Sequence, residues 1–368
     1  MSDKVYYKGF DDNFQCRGFK FEVGKTYKHD GEVKACNSGF HSCQNPWDVL
    51  RYYDVTSRFA KVEVGGLTST HKDDTKIASA EITIKAELKL PEFIAACINF
   101  LKDACKSEIY PLSGDRSNLS ASGDGSNLAA SGYRSKLAAS GDGSNLAASG
   151  YRSNLAASGD GSNLAASGYR SNLAASGYRS KLAASGEYIQ LAASGYGSNL
   201  AASGNGSNLA ASGYRSKLAA SGYGSKLSAS GDGSKLAASG DGSNLAASGY
   251  RSKLAASGEY IQLAASGDGS NLAASGDGSK LAASGNGSKL AASGNGSKLA
   301  ALGNGSIAMC SGTNGKVKGG MNCALALTRW VDSEKRYRIT TAYVGEHGIK
   351  PDTWYSLNDE GNFIECEG

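Results

Sequence analysis

Two groups of residues in this 368-residue chain have side-chain types and spacings that could do chemistry. The first lies near the N-terminus, where Cys36, His41 and Cys43 follow Cys16. Thiolate and imidazole are the ligands that structural Zn²⁺ prefers, so these four residues are candidate metal ligands. Their spacing lacks a Cys-x2-Cys pair, and buried thiols in a small β-rich domain are the alternative interpretation. We therefore predict no metal and no other cofactor.

The second group is a series of tyrosines, most of them followed by arginine, that recurs along the middle of the chain. The candidate binding residues are Tyr133, Arg134, Tyr151, Arg152, Tyr169, Arg170, Tyr178, Arg179, Tyr196, Tyr214, Arg215, Tyr250 and Arg251. Stacked rings and guanidinium groups could stabilise the chain itself, at about 0.5–1.5 kcal/mol for each pair. Tyr and Arg are also favoured at the energetic centres of interfaces, so the series could equally be a docking strip.

A nine-residue repeat positions this series. From Gly114 to Ser311 it occurs 22 times, in forms such as GDGSNLAAS, and a leucine stands at one fixed position. We predict that each repeat is one short strand plus one turn, with the leucine inside and the Asn127 position outside, because its equivalent in the next repeat is Lys136. Gly123 and Gly125 bracket the corner, where glycine is favoured.

The second position of each repeat indicates how many repeats make one coil. Asp and Tyr alternate there with a period of 18 residues from Asp124 to Tyr169, so that the tyrosines fall in every second repeat. Further along the chain most tyrosines fall in the other set of alternate repeats, and we call these two sets the two parities. Two strands and 18 residues per coil would make each parity one edge of a parallel β-solenoid with eleven coils. The fold class predicted is therefore mainly β.

The flanks complete the predicted organisation. Residues 1–90 predict a small α+β domain rich in strands, with a helical stretch from Pro46 to Tyr53. Residues 91–113 predict an amphipathic helix and entry segment, which we expect to cover the first open sheet edge. The solenoid then occupies residues 114–311, and residues 312–368 predict a small C-terminal β cap of four or five strands.

Charge and cysteine content narrow the classes of function. The net charge is +5, and the repeats alone hold 16 basic and 10 acidic residues. Nucleic acid is therefore a possible partner, but a protein partner or self-association, including a homodimer, is favoured because the signs are mixed. The eight cysteines are scattered, and no signal peptide or long apolar run is present, so we expect a cytoplasmic protein without a membrane partner.

Parts of the chain resemble known families. GYGSKL at residues 222–227 resembles the repeat of bacterial ice-nucleation proteins, which implies a two-strand solenoid, although Lys226 and Ser228 replace that family's outward threonines. The period also resembles calcium-binding RTX repeats, but Lys at a ligand position opposes a cation. The segments YKGF…CRGF…SGFHSC and GKVKGG…DTWYSL resemble those of uncharacterised phage and prophage proteins, which implies a phage-linked origin.

A further resemblance concerns activity. The order of Arg17-Gly18 and Gly39-Phe40-His41-Ser42 is similar to that of the motifs lining the nicotinamide pocket in ADP-ribosyltransferases, but their Glu-x-Glu motif is reduced here to Glu63. We predict a non-enzymatic, phage-associated structural or binding solenoid that presents Tyr/Arg edges to a partner or to itself. The alternatives are an ADP-ribosyltransferase-like effector domain carried on a solenoid spacer, and a sponge that sequesters nucleic acid or another ligand.

Overall fold

The computed structural model describes residues 5–35, 37–70, 74–104 and 114–368, and most of its regular structure is β-strand. An N-terminal domain precedes a long β-solenoid that is built from two parallel sheets. The predicted mainly β class and the 18-residue coil with two strands are both confirmed.

The N-terminal domain is a small antiparallel sheet with two helices. Its elements are β1 Tyr6–Phe10, β2 Gln15–Cys16, β3 Phe19–Lys20, β4 Thr26–Lys28, β5 Phe40–Cys43, α1 Pro46–Val49, β6 Arg58–Thr70, β7 Lys76–Leu88 and α2 Leu90–Ala104. The sheet order is β4-β7-β5-β1-β6, and β6 also pairs with β7, so that four strands close on themselves. Phe10, Phe21 and Ile82 are buried inside this closed sheet.

The solenoid strands alternate between two sheets. Those of the first sheet are β8 Asn118–Ala121, β10 Lys136–Ala139, β12 Asn154–Ala157, β14 Asn172–Ala175, β16 Gln190–Ala193, β18 Asn208–Ala211, β20 Lys226–Ala229, β22 Asn244–Ala247, β24 Gln262–Ala265, β26 Lys280–Ala283, β28 Lys298–Ala301 and β30 Lys316–Gly319. Those of the second are β9 Asn127–Ala130, β11 Asn145–Ala148, β13 Asn163–Ala166, β15 Lys181–Ser185, β17 Asn199–Ser203, β19 Lys217–Ser221, β21 Lys235–Ser239, β23 Lys253–Ser257, β25 Asn271–Ala274, β27 Lys289–Ala292, β29 Ile307–Cys310 and β31 Ala324–Val331. We call them the open sheet and the covered sheet, respectively.

The solenoid interior follows from the repeat. Each leucine lies beside the leucine 18 residues away, as Leu137 does beside Leu155, and both are about 2 % exposed. The serine two positions before the leucine also points inward, where its hydroxyl donates to a glycine carbonyl, as from Ser135 to Gly132 at 2.9 Å. Buried hydroxyls therefore have acceptors at the corners, and the leucine columns supply the apolar core.

The first and third positions of the turn, both glycine in repeats such as the one that begins at Gly123, have different physical roles. Gly125 has a φ of +68°, which an L side chain adopts only at a cost. At the other position a Cβ on Gly132 would overlap the carbonyl group of Gly114 in the coil below, so close stacking of the turns requires glycine there. The predicted corner is confirmed, and the stacking requirement adds a second reason for its composition.

The C-terminal segment ends the solenoid. β32 Arg336–Tyr343 pairs antiparallel with β31, while β33 Trp354–Leu357 pairs antiparallel with β30 and with β34 Phe363–Glu365. Because β30 and β31 still stack in parallel on the repeats, the solenoid has about twelve turns, one more than the eleven coils predicted. The predicted β cap therefore begins with one further coil.

The predicted cap helix is α2, but it covers a different part of the solenoid from the one we expected. It packs on the outer face of the covered sheet, from β11 to β19, rather than over the first open edge. Phe93, Cys97 and Ile98 share one apolar cluster with a row of outward alanines, which are Ala165, Ala183, Ala201, Ala219 and Ala237. The methyl side chains let the helix approach the sheet closely, so burial of apolar area favours this face. Residues 105–113 of the predicted entry segment lie outside the described residues.

Within the described ranges, neither helix is long and apolar enough to cross a membrane.

Candidate binding surface

The turns of the solenoid form two long edges. Edge 1 consists of the turns that lead from the covered sheet to the open sheet, and edge 2 consists of the turns that lead back. Six of the predicted binding residues lie on edge 1, and they are Tyr133, Arg134, Tyr151, Arg152, Tyr169 and Arg170. The other seven lie on edge 2, and they are Tyr178, Arg179, Tyr196, Tyr214, Arg215, Tyr250 and Arg251. The coil thus brings each parity of the sequence onto one side of the molecule.

Most of the edge tyrosines are open to solvent. Tyr151 and Tyr178 are each 61 % exposed, whereas Tyr169 is partly buried between its neighbours. The ring centroid of Tyr169 lies 6.1 Å from that of Tyr151 and 5.5 Å from that of Tyr188. The Arg170 guanidinium lies 5.1 Å from the Tyr169 centroid. The rings contact their neighbours and still leave much of their area available to a partner.

The edge arginines occupy a backbone conformation that favours glycine. The φ angles are +63° at Arg134, +58° at both Arg152 and Arg170, and +55° at Arg179 and Arg215. Other repeats place glycine at this position, as Gly143 shows with a φ of +66°. A residue with a Cβ costs about 1 kcal/mol here relative to glycine. Arginine therefore occupies these turns at a cost to the fold, which points to a use for its side chain.

The edge tyrosines also replace a stabilising contact. Where the second repeat position is Asp or Asn, its side-chain oxygen accepts a hydrogen bond from the backbone N–H one coil later. Examples are Asp124 with Asp142 at 2.9 Å and Asn205 with Tyr223 at 3.0 Å. A tyrosine offers no carbonyl or carboxylate oxygen at this point of the turn. Coil stacking alone would therefore favour Asp-Gly over Tyr-Arg.

Charge is ordered along edge 1. Three arginines stand two, three and four coils before Asn205, and they are Arg170, Arg152 and Arg134. Three acidic residues stand at the same distances after it, and they are Asp241, Glu259 and Asp277. The half of edge 1 before Asn205 is net basic, with four arginines (Arg116 included) against Asp115 and Glu187, and the turns after Asn205 hold the three acids and no basic residue. Sequence analysis missed this order, although the signal was present, because it treated all the turns of one parity as equivalent.

The structure describes three of the four candidate zinc ligands, and Cys36 lies outside the described residues. Cys16 Sγ lies 2.9 Å from the hydroxyl oxygen of Tyr53, and burial raises the pKa of the Cys43 thiol to about 12. Over the residues that the structure describes, no group of three or more Cys, His, Asp or Glu side chains could hold a metal ion. Of the two described thiols, that of Cys16 contacts a tyrosine hydroxyl and that of Cys43 is buried.

The residues that resemble ADP-ribosyltransferase motifs partly come together. Arg17, His41 and Ser42 line one cavity of about 710 Å³ beside the solenoid. Glu63 does not line it, and its carboxylate pairs with the ammonium group of Lys85 at 2.8 Å. The N-terminal domain thus contains a basic pocket, and Glu63, the counterpart of the Glu-x-Glu motif, lies outside it.

Three lysines of the covered sheet were expected in solvent but join the N-terminal domain. The Lys181 ammonium lies 3.5 Å from a carboxylate oxygen of Asp48, Lys217 donates to the Leu50 carbonyl, and Lys235 pairs with Asp54. The same repeat position is exposed on the open sheet, for example at Lys136. The repeat itself carries no signal that separates the two environments.

Comparisons with known proteins concern the N-terminal domain. A search of curated proteins and a search of solved structures gave no match. The phage-linked origin suggested by the sequence stays a prediction. A family model described as a domain of unknown function (DUF7666) matches residues 4–96, which takes in β1 to β7 and the first half of α2, so the N-terminal domain is similar to that family.

Proposed function

We propose that this protein is a non-enzymatic structural and binding module that works through its Tyr/Arg edges, and that the partner of edge 1 is a second copy of the chain. The observation that carries the proposal is the order of charge along edge 1, with arginines before Asn205 and acids at matching distances after it. Two copies that meet antiparallel, with a twofold axis at Asn205, place these three arginines each opposite an acid, while Arg116 in the first turn falls opposite Asn295.

The twofold axis makes each Arg–acid pair occur once on either side of Asn205. Arg170 meets Asp241, and the two outer pairs are Arg152 with Glu259 and Arg134 with Asp277. Each of the three pairs occurs twice in such a dimer, which gives six. At about 0.2–1 kcal/mol for an exposed pair, with additional area from the tyrosines, we expect a dissociation constant on the order of micromolar.

The Tyr-Arg turns reduce the stability of the coil, which agrees with a role in binding. Positive φ at the arginines and the missing Asp or Asn acceptor both oppose coil stability. A binding surface explains why these turns keep the less stable residues. Edge 2 carries a different charge order, with Asp124, Asp142 and Asp160 before the arginines, and it serves as the internal control.

The test is sedimentation velocity of the full chain at several concentrations and two salt concentrations. In the first variant, Arg134, Arg152 and Arg170 are all replaced by Gly, which matches the other turns and is expected to keep or raise the melting temperature. In the second, Asp241→Asn, Glu259→Gln and Asp277→Asn remove the charges, and Asn keeps the bond that Asp makes to the next coil, as Asn286 does at 2.8 Å.

We expect either variant to weaken dimerisation at least tenfold, and we expect the dimer of the unchanged chain to weaken at high salt because charges are screened. The control replaces Asp124, Asp142 and Asp160 on edge 2 by Asn and leaves the dimer unchanged. A chain that is monomeric at 100 micromolar, or equal losses in the control, would overturn the dimer. Tight binding of nucleic acid that falls steeply with salt would instead support the sponge.

A further inference from the structure

The cavity in the N-terminal domain holds a concentration of positive charge. It is lined from the domain by Lys8, Arg17, His41, Ser42 and Lys76, and from the solenoid by Lys235. Its volume of about 710 Å³ is in the usual range for small-molecule sites. Two acidic residues also line it. Asp54 pairs with Lys235, and Asp11 accepts hydrogen bonds from the backbone N–H groups of Asn13 and Gln15.

The basic side chains of the cavity lie close enough to His41 to change its pKa. Burial, together with the positive charges of Lys8, Lys76 and Arg17 in that order, lowers the pKa of His41 to about 4. Lys8 is itself buried, and its ammonium donates to the His41 carbonyl at 2.9 Å. Burial also lowers the pKa of Lys8. The neutral form of His41 is therefore favoured by the neighbouring cations, and the same positive charges would attract an anion into the cavity.

Two polar atoms at the cavity have no partner in the structure. Ser42 is 3 % exposed and its Oγ makes no hydrogen bond, and the same holds for Nε2 of His41. A buried polar group without a partner costs about 1–3 kcal/mol. Both residues line the cavity, and because the two atoms are themselves fully buried, a molecule inside it could reach them only after a rotation of the side chains.

Arg17 is held at the cavity by a costly turn. It has a φ of +52° and is followed by Gly18 at +79°, so both central residues of the β2–β3 hairpin turn have positive φ. Asn-Gly is the usual sequence at such turns. Arginine here repeats the pattern of the solenoid edges, where a side chain is kept despite an unfavourable backbone.

We propose that this cavity binds a small molecule that carries a phosphate group, held by Arg17, Lys8 and the Ser42 hydroxyl. A phosphate is a multivalent acceptor that matches a guanidinium and an ammonium, and it fits a site with more basic than acidic side chains. Because Lys235 lies in the repeats, the site is complete only when the domain is docked on the solenoid.

Isothermal titration calorimetry of the full chain tests the site with inorganic phosphate, AMP and adenosine. We expect saturable binding of phosphate and AMP and none of adenosine. Arg17→Gly and Ser42→Ala should each weaken AMP binding, by at least tenfold and about threefold respectively. Both should keep or raise the melting temperature, because one relieves the turn and the other removes a hydroxyl without a partner. A purely structural role would instead lower it.

Lys20→Gln is the matched control, since Lys20 is exposed on the same hairpin and does not line the cavity. It should bind AMP as the unchanged chain does. Absence of saturable binding at millimolar phosphate and AMP, or equal binding by the Arg17→Gly chain, would overturn the proposal. Binding of adenosine as tight as that of AMP would also overturn it, because the recognised group would then not be the phosphate.

Discussion

The two outer faces of the solenoid are made from the same repeat, yet part of one is buried beneath the N-terminal domain and the other is exposed. Ala201 on the covered sheet is 5 % exposed beneath the N-terminal domain, whereas Ala192 on the open sheet is exposed. The lysines differ in the same way, since Lys217 donates to carbonyl groups of the domain and Lys226 is exposed. Burial of a repeat position is therefore decided by what packs against the sheet.

The largest expected effect comes from a charge placed in the alanine row. Ala201→Asp buries a carboxylate between the helix and the sheet, and we expect a loss of about 4 kcal/mol in the free energy of unfolding. Chemical denaturation measures it, with limited proteolysis to detect release of the N-terminal domain. Ala192→Asp is the control on the open sheet and should change stability by less than about 0.5 kcal/mol. Equal effects would show that the domain does not dock as described.

A smaller effect is expected from the pH dependence of docking. The pKa of Lys217 is lowered to about 8, mainly by burial, which Asp54 opposes and the charge of Lys235 assists. Between pH 8 and 10.5 the unfolded chain binds a proton that the docked state does not, so the free energy of unfolding should rise with pH. The expected rise from this lysine is about 2 kcal/mol.

Denaturation at pH 8 and pH 10 checks this rise. Lys217→Met should lose its share of the rise, and the remainder should persist because burial also lowers the pKa of Lys8 and Lys181. The exposed equivalent, Lys226→Met, should behave like the unchanged chain. A flat profile in the unchanged chain would contradict the buried position of Lys217.

The smallest expected difference lies in the asparagine contacts between coils. Asn145 on the covered sheet donates to Asn127 at 2.9 Å and accepts from Asn163 at 2.8 Å. Asn172 on the open sheet is exposed and donates to Asn154 at 3.0 Å. We expect Asn145→Ala to cost about 1 kcal/mol and Asn172→Ala about half of that. Thermal unfolding of both variants measures the difference, and a larger loss at Asn172 would count against the distinction.

Much of the solenoid could be predicted because its determinants are periodic. The leucine column and the 18-residue alternation specify the strand, the buried face and the coil, and the structure confirms each. The sheet face on which helix α2 packs could not be predicted in the same way. The covered and open faces carry the same alanines, and the face that is covered is distinguished by its contacts with the N-terminal domain.

Of the two candidate sites, the solenoid edges could be predicted from the sequence and the cavity could not. The placement of Tyr133 and Tyr178 on opposite edges follows from counting residues once the coil is known, and so does the charge order about Asn205. The cavity does not follow from any local pattern. Lys8 meets the carbonyl of His41 across 33 residues, and Lys235 joins the same cavity from the repeats.

The sequence by itself determined a two-strand solenoid with leucine inside and two chemically distinct edges, because a nine-residue period leaves each side chain one repeated position. Tertiary structure alone decided which alanines and lysines are buried and which basic side chains share a cavity. The physical reason is that burial and electrostatic environment depend on groups far apart in the chain, whereas a repeat fixes only its own local geometry.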